Sequence, residues 1–284
     1  VGGGIFFTLY GKFTPFRYMG HSLKLLTGRI DDGSGHGDLS HRKALAAALS
    51  GTLGLGNIAG VALALSAGGP GAVFWMWLTA LLGVSTKFYT CTLGVMYRHK
   101  DSEGRVHGGP MYTVRNGLGD KFKWLAGLFA IAGLMGFVPS FQINQLGAVV
   151  QTQLFPGVEW LESTAFSWGL GIVLAIFVGM VIWGGLKRVA DVAGALVPLM
   201  AGSYMVMAVI ALLLNVDRVP AVFQSIFTSA FSPDAMFGGL ISVIIVGVSR
   251  GAFSNEAGIG TEVMAHSAAK TNEPVREGLV ASLG

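Results

Sequence analysis

Long apolar stretches recur along the whole chain, separated by short polar segments. A helix needs about 20 apolar residues to cross a bilayer, and a soluble core rarely contains so many stretches of that length. The pattern predicts six membrane spans, at residues 44–67, 70–97, 124–154, 166–186, 189–216 and 235–265.

Both ends of the sequence are apolar as well. Residues 1–10 are too short to span and follow no basic leader, so they do not resemble a signal peptide. We expect them to be the end of a helix that begins before this sequence, and the residues before Gly284 to open a seventh span. On that expectation the second half of the protein is truncated and the fragment alone would not transport.

Two connecting segments have apolar residues at helical spacing among polar ones. Residues 107–121 carry Met111, Val114 and Leu118 in this arrangement, and residues 217–231 have a similar apolar face. Amphipathic helices of this kind lie along a membrane surface. We predict one interfacial helix on each side of the bilayer.

The basic residues support this arrangement of spans. When the connecting segments are assigned to alternating sides, all lysines and arginines except Lys87, Arg218 and Arg250 fall on one side or its edge. Cytoplasmic loops of membrane proteins carry the excess of Lys and Arg. The segment before the first full span is therefore predicted to be cytoplasmic, in a plasma (inner) membrane protein with many spans.

Composition excludes several other classes of protein. Only 12% of the residues are charged while 52% are hydrophobic, and this charged fraction is too low for an ordinary soluble domain. The basic residues do not gather on a face with aromatics between them, so nucleic acid is not an expected partner. Cys91 is the only cysteine, which rules out an internal disulfide or a cysteine-clustered metal site.

Glycine-rich segments interrupt two of the predicted spans. One lies at residues 51–57 in the first span and the other at residues 254–260 in the sixth. Orphan backbone groups in hydrocarbon cost several kcal/mol each, so such breaks must face protein, water or a ligand. Breaks at matching positions five spans apart are typical of transporters built from inverted repeats. Glycines can also serve helix packing alone, and each break taken singly leaves that alternative open.

The ends of half-helices suit a zwitterion and a cation. Free N–H groups at a half-helix N-terminus attract a carboxylate, and free carbonyls at a C-terminus attract an ammonium group or sodium. An intramembrane enzyme would need a nucleophile and a base facing each other, and Ser254 with Glu256 is the only loose candidate. A channel would show a polar stripe along one helix, and none is visible. His266 lacks further ligands at metal-binding spacing, so we expect no metal site.

Five segments resemble the alanine or glycine:cation symporter family, the sodium:alanine symporters. They follow the family's order and together cover essentially the whole chain. The segments are GTLGLGNIAGVALALSAGGPGAVFWMWLTALLGVSTKF, GGPMYTVRNGLG, FQINQ, GGLKRVADVAGALVP and SNEAGIGTEVMAHSAAKTNEPVREGLV. The resemblance implies an all-α membrane protein with the leucine-transporter-type inverted-repeat fold, present here in part, with broken first and sixth core helices. It also implies symport of a small neutral amino acid, alanine or glycine, with Na⁺ and without a cofactor; proton coupling is the alternative.

The resemblance also assigns site residues. It implies backbone contacts to the substrate carboxylate in the first break, a substrate-facing glutamine in the third span and further contacts in the second break. It implies only half of a cation site, since a later helix of the fold usually completes that site. The substrate residues are Gly54, Gly56, Asn57, Gln142, Asn255 and Gly258, and the cation half-site is Gly51, Gly54 and Asn57.

Lys87, Arg250 and Glu256 are charged residues inside the predicted spans. Lys87 either extends to the interface or serves as a gate or charge partner. Members of the family often have glutamate where Thr90 stands, and threonine where Leu55 stands, so both of those contacts are absent here. Glu256 is expected to act in gating or in the architecture of the site, and Arg250 is its possible ion partner.

These predictions divide the chain into three parts. Residues 1–43 are a peripheral helix end and a basic cytoplasmic segment, and residues 44–216 form the first five-span repeat. Residues 217–284 hold the interfacial helix, the sixth span and the start of the seventh. The expected partners are a small neutral amino acid, Na⁺ and the lipid bilayer, and the protein is expected to be monomeric.

Overall fold

A computed structural model describes residues 1–30, 35–136, 140–154, 157–232 and 239–284. In those residues the chain is almost entirely helical, with one two-stranded hairpin formed by β1 (His99–Lys100) and β2 (Val106–His107). The helices before the hairpin are α1 (Gly2–Tyr10), α2 (Thr14–Arg17), α3 (Met19–Leu26), α4 (His41–Thr52), α5 (Leu55–Gly68) and α6 (Gly71–Met96). Those after it are α7 (Pro110–Leu118), α8 (Lys123–Gly136), α9 (Ser140–Val149), α10 (Thr164–Ile182), α11 (Gly185–Leu214), α12 (Val219–Ala230), α13 (Gly239–Asn255), α14 (Thr261–Ser267) and α15 (Pro274–Ala281).

Three of the described helices, α6, α10 and α11, are long and apolar enough to cross a membrane. They coincide with the predicted second, fourth and fifth spans. The pair formed by α4 and α5 makes a fourth span if the two are counted together. Because α10 buries none of its most apolar window within the chain, its surface is available to lipid. The protein is therefore an all-α membrane protein with several spans.

The boundary between the fourth and fifth spans differs from the prediction. The sequence suggested a turn at Lys187 and Arg188, because two charged residues separate apolar stretches. In the structure the connection lies at Trp183 and Gly184, and α11 begins at Gly185. Gly185 has φ +69°, a conformation that favours glycine, so the reversal occurs before the charges and places them in the first turn of α11.

The remaining predicted spans are divided. The third consists of α8 and α9, continued by a wider helical turn over Val150–Leu154, and the residues between α8 and α9 lie outside the described part. The sixth consists of α13 and α14, separated by an irregular segment. Both amphipathic segments are helical, as α7 and α12; their place at the membrane surface stays a prediction.

Helix α6 lies at the centre of the described bundle and packs against α1, α12, α13, α14 and α15. Close approach depends on glycine at the crossing points, as is common between membrane helices. A Cβ added at Gly247 of α13 would lie 2.5 Å from the carbonyl oxygen of Ala72. One added at Gly278 of α15 would lie 2.6 Å from the carbonyl oxygen of Phe88. Near that second crossing, Leu25, Leu45, Phe88, Leu279 and Val280 form an apolar cluster.

We expect Gly278→Val to destabilise the packing of α15 on α6. The added methyl groups must displace backbone as well as the Thr92 hydroxyl, and overpacking of this kind costs about 1–3 kcal/mol. Thermal unfolding of the detergent-purified full gene product would show a lowered midpoint. The control is Gly179→Val on α10, where an added Cβ meets nothing within 4 Å. Equal effects at both glycines would contradict the packing argument.

Candidate functional site

The first predicted break is present between α4 and α5. Helix α4 ends at Thr52, α5 begins at Leu55, and the two are bent by 41°. Gly54 caps α5 in an extended conformation, and its carbonyl accepts the N–H groups of Asn57 and Ile58 at 3.0 and 3.2 Å. The backbone N–H groups before Asn57 have no partner inside the helix, as at any helix N-terminus.

The second predicted break is present between α13 and α14. After Asn255 the chain takes positive φ at Glu256 (+54°), Gly258 (+84°) and Gly260 (+101°) before α14 begins at Thr261. The side-chain oxygen of Asn255 accepts the N–H of Ala257 at 2.8 Å, which stabilises the turn. A non-glycine residue at positive φ is uncommon, so Glu256 occupies a strained position.

Asn57 joins the two breaks. Its side-chain amide donates a hydrogen bond to the carbonyl of Ser254 at 3.1 Å and another to the carbonyl of Thr52. Gly51 lies on the same side, since a Cβ added there would stand 3.5 Å from both carboxylate oxygens of Glu256. The structure thus brings together two segments that are about 200 residues apart in the sequence.

A pocket of about 360 Å³ opens where the breaks meet. Its described lining includes three predicted site residues, Gly54, Asn57 and Asn255, together with Lys87. The predicted site residues Gly51, Gly258, Glu256 and Arg250, all in the described part of the chain, stand outside this lining. The other lining residues are Leu49, Thr52, Leu53, Ile58, Val61, Met200, Ala201, Tyr204, Ser254 and Gly284.

For two predicted substrate residues, Gln142 and Gly56, the structure gives only their place in a helix. Gln142 lies in α9, which packs against α5, but its side chain lies outside the described part. Gly56 lies in the first turn of α5, next to Asn57, where its backbone contributes to the half-helix N-terminus. Their roles stay predictions.

The charged residues are arranged differently from one of the predictions. Arg250 is exposed, and the described residues show no ion pair between it and Glu256. The Glu256 carboxylate instead accepts a hydrogen bond from the Thr261 hydroxyl at 2.5 Å, from the first residue of α14. Glu256 therefore holds the end of the second break to the start of the next helix.

Lys87 is 5% exposed, so it does not extend to the membrane interface. Among the acidic residues, Glu262 of α14, which is 2% exposed, has the largest electrostatic effect on Lys87. One carboxylate oxygen of Glu262 lies 3.5 Å from the Thr90 hydroxyl, and the other has no hydrogen-bond partner among the described residues. Sequence reasoning missed Glu262, although an intramembrane carboxylate is itself a signal for a functional site. Glu262 therefore provides an acidic side chain for Lys87, which the threonine at position 90 cannot provide.

Metal binding has no support in the described part of the chain, where no group of three or more His, Cys, Asp or Glu side chains could hold a metal ion. The polar groups available to a ligand are amides, carbonyls and a few charged side chains inside a helical bundle. A pocket with such groups, at the meeting point of two broken helices in a membrane protein, is typical of transporters.

Comparison with known sequences identifies the family. The sequence profile of the sodium:alanine symporter family matches residues 1–284, and the chain belongs to this family, which consists of transporters and not of enzymes. The sodium/alanine symporter AgcS of Methanococcus maripaludis is 41% identical over 291 residues, covering 100% of this chain and 62% of that relative.

Other relatives are similar over the same range. An uncharacterized transporter of Haemophilus influenzae is 41% identical and is matched over 61% of its length by 100% of this chain. The probable sodium/glutamine symporter GlnT of Bacillus subtilis is 33% identical over 99% of this chain and 57% of its own length. The chain thus spans about three fifths of the length of the curated relatives it matches.

Proposed function

We propose that the protein containing this chain imports a small neutral amino acid, alanine or glycine, together with Na⁺ by alternating access. The observation that carries the proposal is the contact between the two breaks through Asn57, beside a pocket of about 360 Å³. Membership of the sodium:alanine symporter family and the similarity to AgcS, a sodium/alanine symporter, support the same activity.

The substrate carboxylate would bind at the start of α5. There the N–H groups near Gly54 and Gly56 lie at a half-helix N-terminus, whose partial positive charge favours an anion. Asn57, Gln142, Asn255 and Gly258 would complete the contacts. In the first break, Gly51, Gly54 and Asn57 would provide oxygen ligands for Na⁺, while the rest of the cation site lies elsewhere in the protein. Lys87 and Glu256 would hold the breaks in place during transport.

The proposed fold is the leucine-transporter-type inverted repeat, with residues 44–216 as the first repeat. Two broken helices that are separated by four spans in the sequence and meet in space support it. In this arrangement the protein would act as a monomer in the plasma membrane, with the basic residues before α4 on the cytoplasmic side.

The pocket lining supports this choice of substrate. Apart from Lys87, the side chains facing it are mainly small or apolar, which suits an amino acid with a short neutral side chain. GlnT is described as a probable glutamine symporter, so glutamine is the relevant larger competitor. The relative YrbD is described as a putative sodium/proton-dependent alanine carrier, which makes proton coupling the alternative.

Uptake into proteoliposomes made with the full gene product tests the proposal. Labelled alanine should accumulate with a Na⁺ gradient and not when K⁺ replaces Na⁺, and unlabelled glycine should compete better than glutamine. Uptake driven by a proton gradient without Na⁺ would instead establish the alternative. If neither gradient drives uptake of alanine or glycine, the proposed substrates are wrong.

A further inference from the structure

A buried cluster of two histidines and a glutamate lies outside the site described above. Glu277 of α15 is 0% exposed, and its two carboxylate oxygens each face a different imidazole. Nδ1 of His266 lies 2.5 Å from one oxygen, and Nδ1 of His41 contacts the other. The two histidines are themselves almost fully buried. Three titratable groups in direct contact away from water form an unusual arrangement, because burial penalises unpaired charge.

The cluster joins the halves of both broken spans. His41 is the first residue of α4, the half that leads into the first break, and His266 lies at the end of α14, the half that follows the second. Each histidine therefore belongs to a different broken span, and Glu277 on α15 connects the two.

Backbone contacts reinforce the same junction. Residues 38 and 39 pair with residues 268–270, through hydrogen bonds that include the N–H of Lys270 to the carbonyl of Leu39 at 2.6 Å. The Arg98 guanidinium, at the end of α6, donates to the carbonyl of Ala269 at 2.7 Å and to that of Thr271 at 2.7 Å. We name this junction, residues 36–41, 98 and 266–277, the basic-end clasp.

An ionised carboxylate only accepts hydrogen bonds, and this assigns the histidine tautomers. Because each Nδ1 faces a carboxylate oxygen, each imidazole donates its Nδ1–H to Glu277. With both rings neutral the cluster carries one negative charge, and one further proton makes it neutral overall. An imidazolium donates a charge-assisted hydrogen bond that is about twice as strong as a neutral one.

Charged groups on the neighbouring elements also contribute to the electrostatic potential at this cluster. Arg98 is the cation near Glu277, while Asp38, Glu262 and the Cys91 thiol belong to the surrounding elements. Arg276 is engaged by Glu273 at 2.8 Å on the outer face of α15, and Lys43 by Asp191 at 2.5 Å. Lys24 of α3 and Arg42 of α4 are exposed to solvent.

We propose that His41, His266 and Glu277 form a proton-binding site that controls the basic-end clasp. Binding of a proton stabilises the closed clasp, which holds α4 and α14 together, and loss of that proton favours its opening. The direction follows from linkage: the closed state binds the proton more tightly than the open state, so acid favours closure and rising pH favours separation. Only one consequence of opening rests on the proposed function, namely release of the amino acid on the side of the membrane where the clasp lies.

The distance between the two broken spans tests the proposal directly. Spin labels at the exposed positions Arg42→Cys and Lys270→Cys, with buried Cys91 replaced by serine, report this distance in the full gene product by pulsed dipolar spectroscopy. Between about pH 6 and about pH 8.5, where histidine ordinarily titrates, the ratio of the short-distance to the long-distance population should fall by about tenfold.

Variants separate a proton site from a packing contact. Glu277→Gln keeps side-chain size but removes the carboxylate that stabilises an imidazolium, so the populations should become independent of pH. His266→Gln removes one of the two imidazoles and should weaken the pH response. The control is Glu273→Gln, an exposed carboxylate immediately before α15 that pairs with Arg276, which should leave the pH response intact. An unchanged pH response in folded Glu277→Gln protein, or no pH response in the wild type, would overturn the proposal.

The distances are measured without amino acid or Na⁺ gradients. If the distance changes with pH but the protein does not transport alanine, the proposed function is wrong and the proton-binding site is supported. If sodium drives alanine transport but the distance does not change with pH, the proton-binding site is wrong and the proposed function is supported.

Discussion

Replacing Lys87 with methionine is expected to lower the free energy of unfolding by about 3 kcal/mol, and adding Glu262→Gln should restore most of the loss. Both side chains are buried, at 5% and 2% exposure. Thr90, one turn from Lys87 on α6, lies 3.5 Å from the Glu262 carboxylate. Removing one partner from a buried pair leaves an uncompensated charge, which costs more than replacing both partners with neutral groups.

Thermal unfolding of the full gene product in detergent, measured for the wild type, both single variants and the double variant, gives the interaction energy as a double-mutant cycle. Lys100→Met, at an exposed position in β1, is the matched control and should change the midpoint little. If the effects of Lys87→Met and Glu262→Gln simply add, the two residues do not interact and Glu262 is not the partner of Lys87.

The same variants address function. A pair that serves only stability should leave sodium-driven alanine uptake near the wild-type rate in the stable double variant. Lys87 also lines the pocket beside Asn57, so a lasting loss of uptake in the double variant would assign it a role in transport. The experiment thus distinguishes a structural role of these intramembrane charges from a role in transport.

The two breaks could be predicted because their signal is local. Glycines concentrated within a few residues of an apolar stretch indicate an interrupted helix, and the structure interrupts the helices at Thr52–Leu55 and Asn255–Thr261. The predicted boundary at Lys187 and Arg188 was wrong for a related reason. Two charges in an apolar stretch suggest a loop, yet the first turn of a helix can present them to solvent equally well.

The contacts between distant segments had no local signal. His41 and Glu277 are 236 residues apart, and neither position stands out in a pattern of apolar and polar residues. The sequence suggested only that His266 lacks metal ligands, which left its partner unidentified. Likewise, the predicted partner of Glu256 was Arg250 in the same predicted span, whereas in the structure Glu256 accepts a hydrogen bond from Thr261 at the start of α14.

A leucine at position 57 is expected to weaken binding of both alanine and Na⁺ by at least about tenfold. The Asn57 amide donates to the carbonyls of Thr52 and Ser254, so its removal leaves two carbonyls without this donor where the breaks meet. Loss of one partner from a buried hydrogen bond costs about 1–3 kcal/mol, and 1.4 kcal/mol corresponds to tenfold in affinity. Sodium-dependent binding of labelled alanine to the full gene product measures the change.

Asn57→Asp tests the donor itself, because aspartate has nearly the same shape but, when ionised, only accepts hydrogen bonds. It should lose binding at least as strongly as the leucine variant. Asn215→Leu is the matched control: its amide also donates to a carbonyl, that of Ala211 at 2.9 Å, but at an exposed position away from the pocket. Wild-type affinity in Asn57→Asp would mean that the amide does not hold the breaks together. Equal losses at Asn57 and Asn215 would mean that the effect is general destabilisation, since only Asn57 connects one broken span with the other.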